Sequence, residues 1–380
     1  MEIAFWLAAL TLCFTFAGYH LFIACWRRVA ARPVSDLNGP SVDDVTVVLV
    51  VANEARRLPD RIENLLASDI TSTRLDILVV SDGSTDETTE LVRDLAKSEA
   101  RVRLVELKER AGKSNGLNQG VAAAKSDIIV FADARQRFES DTIRRLVSAF
   151  ADPQVGAVSG RLLIEQGHSA ASQGIGSYWS LETRLRTGEA EIDSCIGCTG
   201  AVYAIRRELF RPIPADTLLD DVVIPMLIVE QGYRVLYDPL ALAYDPQNLD
   251  TAKEKIRKRR TLAGNFQMLF RYPGWLLPWR NRLCFQLVAH KYLRLAGPFF
   301  LLVVLGTSAV LREEPFYGVC FWGQVLLYIM AILGLVLPQL KWKLFSLPAA
   351  FLFLNWMSIC GLFHYLSGSG TGAWEMVKRK

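Results

Sequence analysis

Four stretches of the chain are almost wholly apolar: Ile3 to Trp26, Leu293 to Leu311, Phe316 to Leu337 and Phe345 to Leu366. A helix of about 20 apolar residues crosses a hydrocarbon core of about 30 Å, so each stretch predicts a spanning helix. The first is followed by Arg27, Arg28 and Arg32. That flank places the next segment in the cytoplasm by the positive-inside rule. No basic residue precedes the first apolar run, which argues against a cleaved signal peptide. Between the last three stretches, Arg312-Glu-Glu-Pro315 is close to neutral and Lys341-Trp-Lys343 is basic. The basic loop is expected on the cytoplasmic side. Three full crossings would then put the tail, with Lys378-Arg-Lys380, on the far side, unless one segment is re-entrant or interfacial. Trp275 to Lys291 mixes Trp275 and Trp279 with Arg280, Arg282 and Lys291, the pattern of an interfacial helix leading into lipid.

The rhythm between Asp44 and Asn248 is different. Val45-Thr-Val-Val-Leu-Val-Val51 is continuous and apolar, as in a strand covered on both faces. Leu75 to Val80, Arg101 to Leu107, Asp127 to Ala132 and Val155 to Ile164 predict further strands. Leu58 to Ala67 and Ser84 to Lys97 have helical spacing, the latter with Ser84 or Thr85 as N-cap. Strand and helix in alternation predict an α/β domain with a mainly parallel sheet, whose ligands bind at the carboxyl ends of the strands.

Composition fits this division. Hydrophobic residues are 51% of the 380, while charged residues still make up 22%. That mixture predicts a water-facing domain joined to membrane helices. A net charge of +4 gives no ground for nucleic-acid binding. The seven cysteines are scattered. The one close pair, Cys195-Ile-Gly-Cys198, has no second pair to complete a zinc site, so reduced, packed thiols are expected.

The candidate chemistry gathers at strand ends. Asn53 and Glu54 follow the first strand, Ser81-Asp-Gly-Ser-Thr-Asp86 the second, and Asp133 ends a later one. The Asp82 carboxylate can accept hydrogen bonds from a base or ribose, or simply build a turn. Gly112-Lys113 opens a helix, where a lysine and a helix N-terminus suit a pyrophosphate. Asp133 can share a divalent cation with a diphosphate, or be a solvated turn acid. Thr217-Leu-Leu-Asp-Asp221 precedes an apolar helix. Adjacent carboxylates raise one another's pKa, so one of them can serve as general base; capping of the helix explains one of the two. Lys253 to Arg260 carries six basic residues and one acid, either a clamp on a leaving nucleoside diphosphate or a basic face toward water or lipid.

In this order the motifs resemble those of family 2 inverting glycosyltransferases with the GT-A fold, over roughly Asp44 to Gln267. Membrane-bound synthases of cellulose, hyaluronan and poly-N-acetylglucosamine are similar in plan, as are ceramide glucosyltransferases. The resemblance implies that Asn53, Glu54 and Asp82 hold the uridine and that Lys113 sits near the base or phosphates. It makes Asp133 the residue of a metal-diphosphate site for Mg2+ or Mn2+. The family's Thr-Glu-Asp falls on Leu219-Asp220-Asp221, making Asp221 the general base beside Asp220. Thr199 and Gly200 would lie near the acceptor, and Arg257 and Arg260 near the diphosphate. Two positions depart from the pattern. Arg135 replaces the second metal acid and can pair with the diphosphate instead. Thr261 replaces the tryptophan that in polymer synthases forms an acceptor platform, a place Phe266 or Trp179 could fill.

The expected organisation is a transmembrane helix at 1–28, a cytoplasmic GT-A domain at 44–270, an interfacial region at 271–292, about three transmembrane segments at 293–366 and a basic tail at 367–380. The expected function is transfer from a UDP-sugar to a polysaccharide acceptor in envelope or exopolysaccharide synthesis, at a bacterial inner membrane among membrane lipids, with room for an export partner. A lipid acceptor is the main alternative. A catalytically silent membrane scaffold is the alternative from another class, with Arg135 in its favour and the retained Asp82, Lys113, Asp133 and Asp221 against it. A transporter is disfavoured, because no ionisable residue lies mid-span.

Overall fold

The computed structural model describes residues 1–32, 42–70, 73–164, 170–246, 251–337 and 342–368. The expected basic tail falls almost wholly outside them. The chain forms two compact units. Ala24–Leu249 make one, and Met1–Ile23 with Asp250–Gly370 make the other.

The first unit is built on one eight-stranded sheet in the order β3-β2-β1-β4-β7-β6-β8-β5. The strands are β1 Asp44–Val51, β2 Arg74–Asp82, β3 Val102–Leu107, β4 Ile128–Ala132, β5 Arg137–Phe138, β6 Val155–Ile164, β7 Val202–Arg206 and β8 Arg234–Asp245. β1 pairs in parallel with β2 and β4, β2 with β3, and β6 with β8. β1 is buried from Val45 to Val51, as its unbroken apolar run predicts. β7 enters antiparallel between β4 and β6, and β5 lies antiparallel on β8. The sequence reading named no strand beyond Ile164. β7 matters to function because its reversal brings its first residues beside the last residues of β4, with Val202 opposite Ala132. The turn before β7 therefore shares an edge with the carboxyl ends of β1, β2, β4 and β8.

Local chemistry sets two details of that edge. The expected helix start at Ser84 is a loop, and the helix runs Thr88–Ser98. The Ser84 hydroxyl instead accepts the Asn53 N–H at 3.3 Å, and the Asn53 side-chain oxygen accepts the Thr85 N–H at 2.8 Å. Asp86, one residue before the N-cap Glu87, accepts the Thr88 N–H at 3.0 Å. The helix Lys113–Ala123 lies close on the sheet. A Cβ at Gly116 would fall 2.5 Å from Val50 Cγ1, and one at Gly120 2.5 Å from Val48 Cγ1. The glycines of this motif serve helix-to-sheet approach.

The second unit is helical. Among the described residues four helices are long and apolar enough to cross a membrane: Glu2–Ala30, Cys284–Val310, Pro315–Val336 and Lys343–Leu366. The stretch from Trp275 to Lys291 is not one interfacial helix. Pro273–Leu276 is a 3-10 turn, and the second crossing helix already starts at Cys284. Trp275 is buried and stacks on Tyr272 with ring centroids 4.3 Å apart, and Asn281 Nδ2 donates to its carbonyl, so this segment folds on itself. The basic helix Thr251–Arg271, counted within 44–270 on sequence, belongs to this helical unit. Its Phe270 stacks on Tyr365 with centroids 5.6 Å apart.

Gly120→Ala drives a methyl into the stiff, buried side chains of Val48 and Val80. The expected cost is about 1–3 kcal/mol, read as a lower denaturant midpoint of the solubilised chain. An unchanged midpoint would show that the helix can shift away from β1.

Candidate active site

Asp82 closes β2 and is 1% exposed. Its Oδ1 accepts the Ala111 N–H at 2.7 Å and its Oδ2 the Gly112 N–H at 2.9 Å. Gly83 makes this possible, with φ at +55° and no room for a side chain against the Arg110 backbone. In this structure the Asp82 carboxylate thus holds the loop that delivers Lys113. Asn53, the one non-glycine residue with positive φ among those described, joins the end of β1 to the loop after β2. Asparagine tolerates that conformation through its short polar side chain. Glu54 accepts from Thr88 nothing through its side chain; its N–H donates to Thr88 Oγ1 at 2.9 Å, and its carboxylate pairs with Arg57 at 2.8 Å.

Gly112 at φ +90° turns the chain into the helix that begins with Lys113. The Lys113 ammonium lies 3.0 Å from Asp133 Oδ1 and 3.5 Å from Asp220 Oδ2. Burial works against its charge, but Asp133, Asp220 and Asp221 outweigh that and raise its pKa above the ordinary lysine value. The same helix grips the chain leading to the acid pair. Ser114 Oγ donates to the Thr217 carbonyl at 2.8 Å, and Asn118 exchanges hydrogen bonds with the Ile213 backbone at 2.8 and 3.0 Å.

Asp220 and Asp221 are the first two residues of the helix Asp220–Glu230. Pro225 sits inside it and supplies no N–H to the Asp221 carbonyl one turn earlier. That carbonyl accepts the Cys198 N–H instead, at 2.7 Å. The Gly197–Gly200 turn docks there. Gly197 has φ +77°, and a Cβ on Gly200 would stand 3.0 Å from Asp221 Oδ2. Thr199, expected near an acceptor, has its hydroxyl engaged: it donates to the Gly160 carbonyl at 2.8 Å and accepts from Arg186 at 2.8 Å. Gly200, by contrast, brings bare backbone up against the Asp221 carboxylate.

Arg135 does not point to an unpaired anion site. Its Nη2 donates to Asp245 Oδ2 at 2.6 Å, and Gln136 Nε2 donates to the same oxygen at 3.2 Å. Asp245 ends β8 and is fully buried. It was missed on sequence, although the rule that found Asp133, an acid at the carboxyl end of an apolar strand, applies to Leu240-Ala-Leu-Ala-Tyr-Asp245 too. Also missed were Arg61, Arg186 and Tyr203. Arg61 Nε donates to the Asp133 carbonyl at 3.1 Å, and burial pulls its pKa down to about 9 against the pull of Asp133. The Tyr203 ring packs on Phe131, and its hydroxyl is buried without a hydrogen-bond partner near Asp220 and Asp221. Cys195 and Cys198 are buried, free thiols. Burial pushes Cys195 up to about 11 and raises Cys198 as well, so both are poor nucleophiles. Arg257 and Arg260 lie on the Thr251–Arg271 helix of the other unit.

A divalent cation can be tested against these groups. Among the described residues no three His, Cys, Asp or Glu side chains gather around one point. Two carboxylates, Asp133 and Asp220, do face one cationic group, and Asp220 Oδ2 is buried without a hydrogen-bond partner. Hard oxygens in this number suit Mg2+ or Mn2+ bound together with a diphosphate and waters. The residues fit a shared cation, not a closed cage.

Residues 46–213 match the family model for glycosyl transferase family 2. Poly-beta-1,6-N-acetyl-D-glucosamine synthase of Staphylococcus aureus is 26% identical over 223 residues, covering 57% of this chain and 53% of the relative. The synthase of the same name from Staphylococcus epidermidis is 22% identical over 209 residues, covering 53% and 50%. The match thus spans about half the length of these relatives. Among solved structures, mannosyltransferase PcManGT from Pyrobaculum calidifontis, in complex with GDP-Man and Mn2+, superposes with a TM-score of 0.70 at 23% identity, covering 96% of this chain and 99% of that one. That likeness establishes the GT-A fold.

Asp245 is buried and the Arg135 side chain is 37% exposed, and the pair is expected to behave as a unit. Arg135→Met leaves the Asp245 carboxylate buried beside Gln136 alone and should destabilise by about 3–5 kcal/mol. The double variant with Asp245→Asn should recover much of that loss in a thermal or denaturant midpoint. Additive losses would mean that the two side chains act independently.

Proposed function

We propose that this chain, whose residues 46–213 match the family model for glycosyl transferase family 2, is a membrane-bound inverting transferase moving a sugar from a nucleotide-sugar, a UDP-sugar first, to a polysaccharide acceptor. The observation that carries the proposal is the meeting of Lys113, Asp133 and Asp220 at one sheet edge, next to Asp221 at the start of its helix. The Staphylococcus relatives are polysaccharide synthases by name, which supports the polymer acceptor. Four apolar helices among the described residues support placement in a membrane, and Arg27, Arg28 and Arg32 after the first of them favour a cytoplasmic family 2 domain.

In this mechanism Asp221 takes the proton of an acceptor hydroxyl as its oxygen attacks the anomeric carbon. The bond from that carbon to the diphosphate oxygen breaks, and the configuration inverts. The Lys113 ammonium balances charge on the departing diphosphate. Asn53, Glu54 and Asp82 form the nucleoside end of the site, with Asp82 acting through the loop it holds. Arg135 lies along the same edge with its charge met by Asp245. Asp133 and Asp220 would hold a Mg2+ or Mn2+ ion with the diphosphate; such an ion neutralises phosphate charge when bound. Thr261 at the platform position favours a second reading, a lipid acceptor in place of a sugar chain.

The test is transfer from labelled UDP-sugars and GDP-mannose by the full chain reconstituted in vesicles, with products sorted by size and by organic extraction. Large water-soluble product supports the polymer reading; small extractable product moves the acceptor to lipid. No transfer from any donor would sink both.

Asp221→Asn should lower turnover by about 10²–10⁴-fold, the span for a lost general base, while nucleotide affinity by calorimetry stays the same. Wild-type turnover in that variant rejects the base assignment. Lys113→Met should instead weaken nucleotide binding, by about 1.5–3 kcal/mol for a lost charged hydrogen bond.

A further inference from the structure

The turn that backs Asp221 is itself held by a side chain with no part in the function above. Arg186 projects from the helix Ala170–Ile192. Its Nη1 donates to Thr199 Oγ1 at 2.8 Å, and its Nη2 donates to Ser159 Oγ at 2.9 Å and to the Gly197 carbonyl at 3.1 Å. The guanidinium carbon stands 4.5 Å from the centroid of the Tyr237 ring. One planar cation thus joins β6 through Ser159, β8 through Tyr237 and two residues of the turn. Ser159 completes the joint by accepting the Thr199 N–H at 2.8 Å.

The opposite side of that turn touches the acid pair. Cys198 N–H reaches the Asp221 carbonyl at 2.7 Å, and Gly200 passes so close that a Cβ would stand 3.0 Å from Asp221 Oδ2. The turn has one face on Arg186 and the other on Asp221, with no side chain between at Gly197 or Gly200. A shift of the turn is therefore a shift in what surrounds that carboxylate. The fork geometry of arginine serves here. It reaches a hydroxyl, a second hydroxyl and a carbonyl in one plane while presenting its face to an aromatic ring, and a lysine ammonium cannot do both.

We propose that Arg186 is a positioning residue: it clamps the Gly197–Gly200 turn against Asp221 and so sets the approach of the acceptor hydroxyl to that carboxylate. The proposal rests on Asp221 being the base.

The experiment compares the full-length wild type with Arg186→Met, Arg186→Lys and Thr199→Val in vesicles. It reads kcat, acceptor KM, nucleotide affinity by calorimetry, and amide exchange at Cys198 and Thr199. Both Arg186 variants should lose about 10²-fold in kcat, the scale of a 1 Å misplacement. Nucleotide affinity should be unchanged, and both amides should exchange faster. Thr199→Val removes one of the clamp's grips and should show a smaller loss in the same direction; it carries the test if Arg186→Met does not fold. Wild-type kcat in the variants overturns the proposal. So does a parallel loss of kcat and nucleotide affinity, which would make Arg186 a general support of the fold. Asp221→Asn is run alongside. If it retains turnover, the base reading fails, while faster exchange at Cys198 and Thr199 still reports the clamp on its own.

Discussion

The crowding of carboxylates at one sheet edge is the constraint from which the rest of the catalytic unit follows. Asp82, Asp133, Asp220, Asp221 and Asp245 all sit there, and most are buried or nearly so. Like charges that close cannot all be ionised without compensation. Four of them are met in three ways. Asp82 is answered by two backbone N–H groups, Asp245 by Arg135 and Gln136, and Asp133 and Asp220 by the one ammonium of Lys113. The position of Lys113 in turn depends on Asp82 holding its loop, on the positive φ of Gly112, and on glycines that let its helix lie against β1. Motifs far apart in sequence are parts of a single charge-balancing device.

A second dependence runs through Pro225. A proline in a helix interior normally costs a hydrogen bond and is disfavoured. Here the carbonyl it leaves unpaired belongs to Asp221 and is satisfied by Cys198. The defect in one element becomes the docking point for another, which is how a turn between the helix Ala170–Ile192 and β7 comes to lie on the acid pair. The antiparallel insertion of β7 beside β4 is what puts that turn at the correct end of the sheet.

Much of this was legible from sequence because it depends on local pattern. The run Val45 to Val51 reads as a buried strand since a strand covered on both faces has no reason to alternate. Acids at the ends of such strands mark one edge of the sheet, and Glu54, Asp82 and Asp133 fall there. Pairing across distance was not legible. Nothing near Arg135 in sequence points to Asp245, and nothing near Thr199 points to Arg186. The helix start at Thr88 was misplaced because Ser84 and Thr85 are good caps in isolation; Asn53, from another strand, takes both. The basic run of the helix Thr251–Arg271 was read with the α/β domain for want of a local signal that this helix belongs with the apolar helix Lys343–Leu366, where Phe270 stacks on Tyr365.

The same contacts narrow which group can take a proton. Lys113 has a raised pKa, and a group whose pKa is raised on folding keeps its charge, and the stability it contributes, below its unfolded value of about 10.4. That contribution fades only as pH climbs through the still higher folded value. At neutral pH Lys113 is therefore an acid without a free lone pair. Burial holds Tyr203 and Cys198 protonated as well. The carboxylates remain. Both oxygens of Asp82 already accept backbone N–H groups, Asp245 is sealed from solvent, and Asp133 and Asp220 face the Lys113 ammonium. Asp221 is half-buried, at the first turn of its helix, with the Gly200 backbone packed close against its carboxylate. In the proposed mechanism Asp221 is set apart by its half-buried place at the start of its helix, the position the motif also names.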